Sequence, residues 1–573
     1  MPTAQEVEAM LTGPGGAFEV VTEDVRGAPM KVFKQRMKSL REIPALAAAR
    51  GDEEFVVHGE RRYSFAEFVD LANSVSATLA AHGVGRGDRV AVLSANNPEW
   101  CLAFWATVDL GAILVGLNGW WKTDEIVYGL QDSGAKVLVA DKGRFERVKA
   151  ELGALPDLEV VFLADCAPED VGMSDDSRVH RFDDLLQRRG EPIPDTPIDE
   201  DDEAVIFYTS GTTGRPKGAI STHRSMISNL MGTLYSSFST AMANPGASLI
   251  DPGAKNASLL TSPLFHVSGC HSGLVVGMLA GIKLVIPVGK FEPDKAMQLI
   301  QDEKITVWAT VPTMVWRVVE HPRRHDYDLS TVSAVAYGGS PSAAELQRRV
   351  HETFPNVRST SNAYGLTESS SAVTINSGKD NATRPDSVGR PLPVIDVKVV
   401  SPETEEDLPI GSTGEVWLRG PHIMPGYWRK PEATAETLTA DGWLRTGDLG
   451  HVDDDGFLYI TDRAKDMIIR GGENVYCVEI ENRLVEHPAV ADAAVIGVAH
   501  PTLGEEVKAI VQLEPDEKLT EDEVRAWVRE TLADFKVPTY VEFTSDRLPR
   551  NASGKLLKNV LRGEGEVSFA ETM

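Results

Sequence analysis

Cysteine is scarce: Cys101, Cys166, Cys270 and Cys477 are the only four in 573 residues, and no two are spaced as C-x-x-C. That argues against a zinc site or a disulfide framework and fits a reducing, cytoplasmic compartment. Positive charge is short as well, with 57 Lys+Arg against 85 Asp+Glu and a formal net charge of −28. A phosphate backbone needs a basic partner, so nucleic-acid binding is disfavoured, and so is electrostatic docking on anionic lipid. The acidity reads as a solubility device. No apolar run reaches the roughly 20 residues of a membrane span. The two longest, near 104–117 and 274–288, are broken by Asp109 and Lys283 and read as buried strands and helices. Peripheral membrane contact and a homodimer both stay open. The first ten residues carry Glu6 and Glu8 without an apolar core, unlike a signal peptide. Internal repeats and low-complexity tracts are absent.

What is present is an ordinary globular composition, 42% hydrophobic and 25% charged, in a chain long enough for two or more domains. Ser64 and Glu67 form a capping-box pattern ahead of Phe68, Leu71, Val75 and Leu79 at helical spacing, and Gly83 closes that helix. Short apolar runs at 89–93, 136–140 and 159–163 read as buried strands. Strands separated by helices predict βαβ units and a parallel sheet. The stretch 192–202, rich in proline and acid, reads as an exposed connector. A second alternating block spans about 257–376, and 388–462 changes to short strands with Gly, Pro and Asp turns. After Arg463 a unit of domain size begins. It has a helix at 478–484, strands at 493–498 and 506–513, and a Thr520/Glu523 capping box before Val524, Trp527, Val528 and Leu532.

The most telling segment follows the apolar run 204–207: Tyr208, Thr209, Ser210, Gly211, Thr212, Thr213, Gly214, Arg215, Pro216, Lys217, Gly218. Small hydroxyl residues and glycines let backbone N–H groups and Oγ atoms crowd an anion, and Lys217 adds a positive charge. Pro216 stands where a Walker A loop needs its second glycine, so a phosphate held here is gripped in another way. Five further segments carry chemistry. Asn362, Ala363, Tyr364, Gly365, Leu366, Thr367 and Glu368 combine an aromatic face, a close-approach glycine, a hydroxyl and a carboxylate able to hold a hard cation; Tyr364 alone could equally be a core aromatic. Gly338, Gly339 and Ser340 read as a turn or as a floor for a flat base. Thr446-Gly447-Asp448 offers a carboxylate suited to ribose hydroxyls. The region 462–474, with Arg463, Lys465, Arg470, Gly471, Gly472 and Glu473, is charge-dense, and 549–555 puts Lys555 at the end of a small polar loop.

In this order the segments resemble the AMP-forming acyl-CoA synthetases of the adenylate-forming superfamily, over about 47–561. The resemblance implies an α/β fold. A large N-terminal domain, 1–464, would hold stacked mixed and parallel sheets with helices plus a β-rich subdomain, and a small mobile α+β domain, 465–573, would carry the catalytic lysine. It implies ATP, Mg²⁺ and coenzyme A as cofactors and a small carboxylic acid as substrate. Thr209, Ser210, Gly211, Thr212, Thr213, Gly214 and Lys217 would cradle the β- and γ-phosphates, with Thr209 beside the metal. Gly338, Gly339, Ser340, Asn362, Ala363, Tyr364 and Gly365 would surround the adenine and the acyl carboxylate. Thr367 would meet the α-phosphate, Glu368 would hold Mg²⁺, and Asp448 with Arg463 would hold the ribose. Lys465 matches the hinge and Lys555 the adenylation lysine. Arg470, Gly471, Gly472 and Glu473 would shape the CoA entry. His266, Val267, Cys270, Trp308, Met314 and Gly339 are the acyl-pocket candidates, core packing being the alternative for each, and His266 is also a weak candidate base for the thiol.

The wording of 470–474 points to a medium- or long-chain fatty acid, with an aryl or sterol-derived acid as runner-up. The family's CoA ligases typically carry proline where this chain has Cys477, a departure expected to affect only local backbone stiffness, away from charged contacts. An acyl-AMP ligase serving a carrier protein usually has an extra segment between its lobes, and none is seen here. A luciferase-like oxidase would share every motif. A non-catalytic binder would be free to lose Glu368 or Lys555, yet both are present.

Overall fold

The structure, a computed structural model, describes residues 3–209, 215–243, 255–338, 344–471, 473–551 and 554–564. Two large sheets stack with helices between and outside them. The first has seven strands in the spatial order Lys217–Thr222, Glu203–Thr209, Ile113–Gly116, Arg89–Leu93, Val137–Ala140, Val160–Leu163, Val179–Arg181. All neighbours are parallel except the first hairpin. Alternate residues serve opposite faces: Val90, Val92, Val137, Val139 and Phe207 enter the core shared with the second sheet, while Ala91, Leu93, Leu138, Ala140 and Ile206 enter the outer core. Burial on both faces explains why these strands read as continuous apolar runs.

The second sheet has nine strands, parallel through Ala257–Leu259, Val307–Thr310, Ala334–Gly338 and Ser359–Leu366 and antiparallel at its ends. The helix Phe65–Ala81 lies in the central core. Ser64 accepts from the Glu67 N–H at 3.2 Å, Phe68, Leu71, Val75 and Leu79 face inward, and Gly83 follows the end. The connector at 192–202 is exposed along most of its length, but its end joins an ion-pair cluster through Glu200 and Asp201 with Arg36 and Arg224.

A four-stranded antiparallel sheet, from Asp396–Val400 to Leu458–Arg463, follows. After the turn at 464–466 the chain enters another sheet, built on the long pair Val490–His500 and Gly504–Leu513. The helices Cys477–Val485 and Glu521–Arg529 cover it with Ile480, Leu484, Val524 and Val528. Both halves of the Thr520/Glu523 capping box are made. Leu532 lies beyond that helix yet still packs on its core.

Candidate active site

A cleft of about 2700 Å³ opens between the C-terminal sheet domain and the ends of the nine-stranded sheet. Typical ligand pockets are about 300–1,000 Å³, so this one has room for a nucleotide and a second substrate. Asn362, Ala363, Tyr364, Gly365, Asp448, Arg463, Lys465, Met314 and Lys555 line it. These are the sequence-derived positions the fold gathers, from segments as far apart in the chain as Met314 and Lys555.

The strand Ser359–Leu366 delivers Tyr364, and the strand Leu444–Val452 delivers Asp448. The Tyr364 hydroxyl donates to Asp448 Oδ2 at 2.7 Å, and Arg463 Nε lies 3.0 Å from Oδ1. Asp448 is only 3% exposed, and these two donors compensate its carboxylate for the lost water. Burial and the neighbouring carboxylate raise the Tyr364 phenol, which remains a donor. The close approach expected at Gly365 is to protein: a Cβ there would sit 1.9 Å from the Ser371 carbonyl oxygen of the paired strand. Gly338 ends its strand with a Cβ position 2.7 Å from the Ala363 oxygen.

The strands that flank the loop expected to hold an anion, Glu203–Thr209 and Lys217–Thr222, pair as an antiparallel hairpin. Thr209 and Lys217 face each other across its mouth, antiparallel, and Lys217 begins the return strand. A P-loop instead runs from strand to helix, so the topology agrees with the failed Walker spacing. Lys217 is less free than its sequence suggested, since Nζ lies 5.3 Å from the centre of the Tyr427 ring. Ser210, Gly211, Thr212, Thr213 and Gly214 lie outside the described residues, as do Gly339, Ser340 and Gly472.

Thr367 opens the one-turn helix Thr367–Ser369 that presents Glu368. Glu368 Oε1 accepts from the Tyr427 hydroxyl at 2.8 Å. Among the described residues, Oε2 has no hydrogen-bond partner, and no group of three or more metal-binding side chains is formed. One carboxylate with a free oxygen fits Mg²⁺, which is commonly held by one or two carboxylates plus substrate phosphates.

Lys555 reaches the cleft because its loop docks on the large domain. Gly554, at φ +78°, leaves no room for a side chain: a Cβ would meet Thr313 Oγ1 at 2.8 Å. Asn551 Oδ1 accepts the Lys555 N–H at 2.9 Å. Burial pushes the Lys555 ammonium down to about 8; the Arg463 charge adds to this, and Asp448 and Glu368 oppose it.

Other expectations meet a different outcome. Trp308 is fully buried, its indole N–H donating to Thr261 Oγ1 at 3.1 Å, and Cys270 packs in the central core. Neither lines the cleft, because Trp308 packs in the core between the nine-stranded sheet and its helices and Cys270 packs in the central core. Val267 packs half-buried on the same core as Cys270. Met314 does reach the cleft, where its sulfur accepts from the Thr310 hydroxyl at 3.2 Å. Among the described residues, His266 Nε2 is buried without a hydrogen-bond partner, and burial plus the Lys555 charge push the ring down to about 4. A base that weak deprotonates a thiol of pKa about 8.5 poorly, so His266 suits neutral hydrogen bonding. Arg470 is paired with Glu506 inside the C-terminal sheet, Gly471 sits in the following turn and Glu473 begins an exposed strand. None of these three lines the cleft in this arrangement.

Cys477 requires a correction. The sequence placed it away from charged contacts, but its backbone N–H donates to the Asp462 carboxylate, and its thiol donates to the Asp466 carbonyl at 3.0 Å. Asp462 lies next to the end of the strand Leu458–Arg463, and Cys477 starts the helix Cys477–Val485. Burial raises the Asp462 carboxyl to about 6 against the pull of Lys558. A proline here would have no N–H to give.

Tyr427 was missed altogether. The motif Gly426-Tyr427-Trp428 reads as a turn, and only its contacts with Glu368 and Lys217 single it out.

Comparison with known proteins identifies the family. Residues 44–428 match the AMP-binding enzyme family, and 479–555 match the AMP-binding enzyme C-terminal domain. The chain is 36% identical over 508 residues to the feruloyl-CoA synthase of an Amycolatopsis species, covering 88% of this chain and 95% of that one. It is 32% identical over 548 residues to a long-chain-fatty-acid–CoA ligase of Bacillus subtilis (strain 168), covering 92% and 94%. The ATP-bound structure of MatB from Rhodopseudomonas palustris superposes with a TM-score of 0.78 at 30% identity, over 92% of this chain and 99% of that one. With family matches over 44–428 and 479–555, the chain belongs to the AMP-binding enzyme family as an AMP-forming acid–thiol ligase, an ATP-dependent acyl-CoA synthetase.

Proposed function

We propose that the protein activates a medium- or long-chain fatty acid in two half-reactions at this one cleft, in the cytoplasm. In the first, a carboxylate oxygen attacks the α-phosphorus of ATP, an O–P bond forms, and pyrophosphate leaves. In the second, the CoA thiolate attacks the acyl carbonyl, the acyl C–O bond breaks, and AMP departs with the bridging oxygen. The observation that carries the reading is Lys555 on the small domain reaching the cleft that holds Asp448, Arg463 and Tyr364.

Two anions must meet in the first step, so its barrier is largely electrostatic. Lys555 lies between carboxylate and α-phosphate and offsets their repulsion, in a site where preorganised charge needs no rearrangement. Mg²⁺, when bound with ATP, supplies charge neutralisation on the phosphates; Glu368 Oε2 and the Thr209 hydroxyl are the groups that would hold it. Asp448 takes the ribose hydroxyls, Tyr364 and Asn362 flank the base, and Lys217 with the hairpin tip holds the departing pyrophosphate. Domain 465–573 then turns about Lys465, withdrawing Lys555 and bringing 470–473 to the cleft for the thiol.

Because Lys555 acts as a cation, the adenylation rate falls as pH rises through its pKa. That value is about 8 in the free site, and bound anions raise it, so the alkaline limb lies at or above pH 8. Lys555→Arg removes the limb, since guanidinium stays charged. A pH profile of ATP–pyrophosphate exchange for the two proteins checks this.

Cys477→Pro deletes the N–H held by Asp462. A hydrogen bond to a charged group contributes about 1.5–3 kcal/mol, and proline offers no offset where the N–H it removes was bonded. The closed arrangement should therefore lose roughly tenfold or more in population, slowing adenylation while sparing thioester formation. Cys477→Ala keeps the N–H and should leave the balance unchanged. Single-turnover rates of the two half-reactions decide; equal behaviour of the two variants would refute the contact's role.

Leu260, Pro263, Phe265 and Met314 give the cleft apolar wall, suited to an alkyl chain. The wording of 470–474 and the fatty-acid ligase relative support the fatty acid; the feruloyl-CoA synthase relative supports an aryl acid instead. Acid-dependent exchange over octanoate, palmitate, a cinnamate and a bile acid, followed by CoA consumption, tests the assignment. Preference for either ring-bearing acid would replace it with the runner-up.

A further inference from the structure

Tyr427 lies between two groups of opposite charge and touches each with a different part of its side chain. Its segment runs along the outer edge of the return strand Lys217–Thr222. The Ile220 N–H donates to the Gly426 oxygen at 3.2 Å, the Trp428 N–H donates to the Gly218 oxygen at 2.8 Å, and Ala219 and Tyr427 form an antiparallel bridge. The Met424 N–H donates to the Glu368 carbonyl at 2.8 Å. Backbone bonds thus tie the segment both to the anion hairpin and to the turn that presents Glu368. The Tyr427 N–H donates to Thr434 Oγ1 at 2.9 Å, which anchors it to the helix that follows.

The side chain is 9% exposed. Its hydroxyl donates to Glu368 Oε1 at 2.8 Å, and its ring centre lies 5.3 Å from Lys217 Nζ, inside the roughly 6 Å range of a cation–π contact. In that bond the hydroxyl is the donor and the carboxylate oxygen the acceptor. The arrangement has an electrostatic consequence. An ammonium and a carboxylate that touch the same side chain attract each other and, left alone, would close into an ion pair. That pair would occupy the carboxylate wanted by the metal and the ammonium wanted by the phosphates. The aromatic face satisfies the cation and the hydroxyl satisfies one carboxylate oxygen, so both charges are held ready and apart.

We propose that Tyr427 is a positioning residue that keeps Lys217 and Glu368 from pairing and leaves Glu368 Oε2 directed to the metal. This rests on the roles given above to Glu368 and Lys217. Tyr427→Phe keeps the ring over Lys217 and removes only the hydroxyl. It should raise the Mg²⁺ concentration for half-maximal ATP–pyrophosphate exchange by about tenfold, the scale of one hydrogen bond to a charged group, with the KM for the acid unchanged. Tyr427→Leu removes the ring as well and should also raise the half-saturating pyrophosphate concentration.

A direct readout accompanies the kinetics. Binding of Mn²⁺·ATP, followed by water-proton relaxation, should weaken in Tyr427→Phe by the same factor. A residue that merely packs would lower the melting temperature and leave both metal readouts alone. Wild-type metal dependence in Tyr427→Phe, in exchange and in Mn²⁺·ATP binding alike, overturns the proposal while leaving the adenylation reading intact. Absence of acid-dependent exchange in the wild type overturns that reading and this proposal with it. Should Tyr427→Leu fail to fold, Tyr427→Phe decides by itself.

Discussion

Replacing Lys555 by alanine should lower adenylation by two to three orders of magnitude while leaving thioester formation from supplied acyl-AMP nearly intact. The size follows from removing one preorganised charge at a developing anionic centre, about 3–4 kcal/mol. The asymmetry follows from geometry. Lys555 is in the cleft only while Gly554 is docked against Thr313 and Val311, and the second half-reaction needs that loop withdrawn. The charge is also poised: burial brings the ammonium down to about 8, so it is protonated at neutral pH yet weakly solvated. Lys555→Arg should fall between the two, since it keeps the charge on a bulkier fork. Rapid-quench measurement of both half-reactions checks the expectation. Comparable losses in both would contradict a lysine that serves only one arrangement.

Asp448→Ala should weaken ATP binding by about a hundredfold, because hydrogen bonds to a charged group contribute about 1.5–3 kcal/mol each and the ribose offers two hydroxyls. It should also destabilise the fold. Asp448 is 3% exposed and takes both the Tyr364 hydroxyl and the Arg463 guanidinium. Breaking a fully buried pair costs about 3–5 kcal/mol. The Arg463 side chain is 37% exposed, so water recovers part of that loss, and about 2 kcal/mol is the expected remainder. Asp448→Asn keeps the shape and a hydrogen bond to Tyr364 and should lose less of both. The KM for ATP in the exchange assay and the midpoint of thermal unfolding report the two effects separately. An ATP affinity within about twofold of wild type would remove Asp448 from the nucleotide site.

The parts of the fold that could be read in advance are those with a local cause. Val90 and Val92 alternate with Ala91 and Leu93 because the strand is buried on both sides, and a run of apolar residues records that directly. Thr520 and Glu523 sit three apart because each satisfies the other's backbone. The Pro216 departure from a Walker A loop likewise has its structural counterpart in the hairpin between Thr209 and Lys217.

What could not be read depends on contacts between distant segments. Tyr427 lies 59 positions from the Glu368 it donates to, and nothing local in Gly426-Tyr427-Trp428 signals that partner. Cys477 appeared neutral because the relevant group is its backbone N–H, whose acceptor, Asp462, is 15 residues away across the interdomain turn. For Trp308 and Cys270 the sequence leaves acyl pocket and core packing both open, because direction along an element decides between them. Trp308 turns its ring into the core between sheet and helices, and Cys270 lies in the opening turn of a helical wall that buries it. Short apolar stretches do not reveal which face they present.

The central claim is that the carboxylate is activated as an acyl adenylate in the Lys555 cleft. Isotope tracing tests it most directly. With a substrate acid labelled by ¹⁸O in both carboxylate oxygens, complete turnover with ATP and CoA should release AMP carrying one labelled oxygen, together with unlabelled pyrophosphate. Unlabelled AMP, or release of ADP with label in inorganic phosphate, would contradict it.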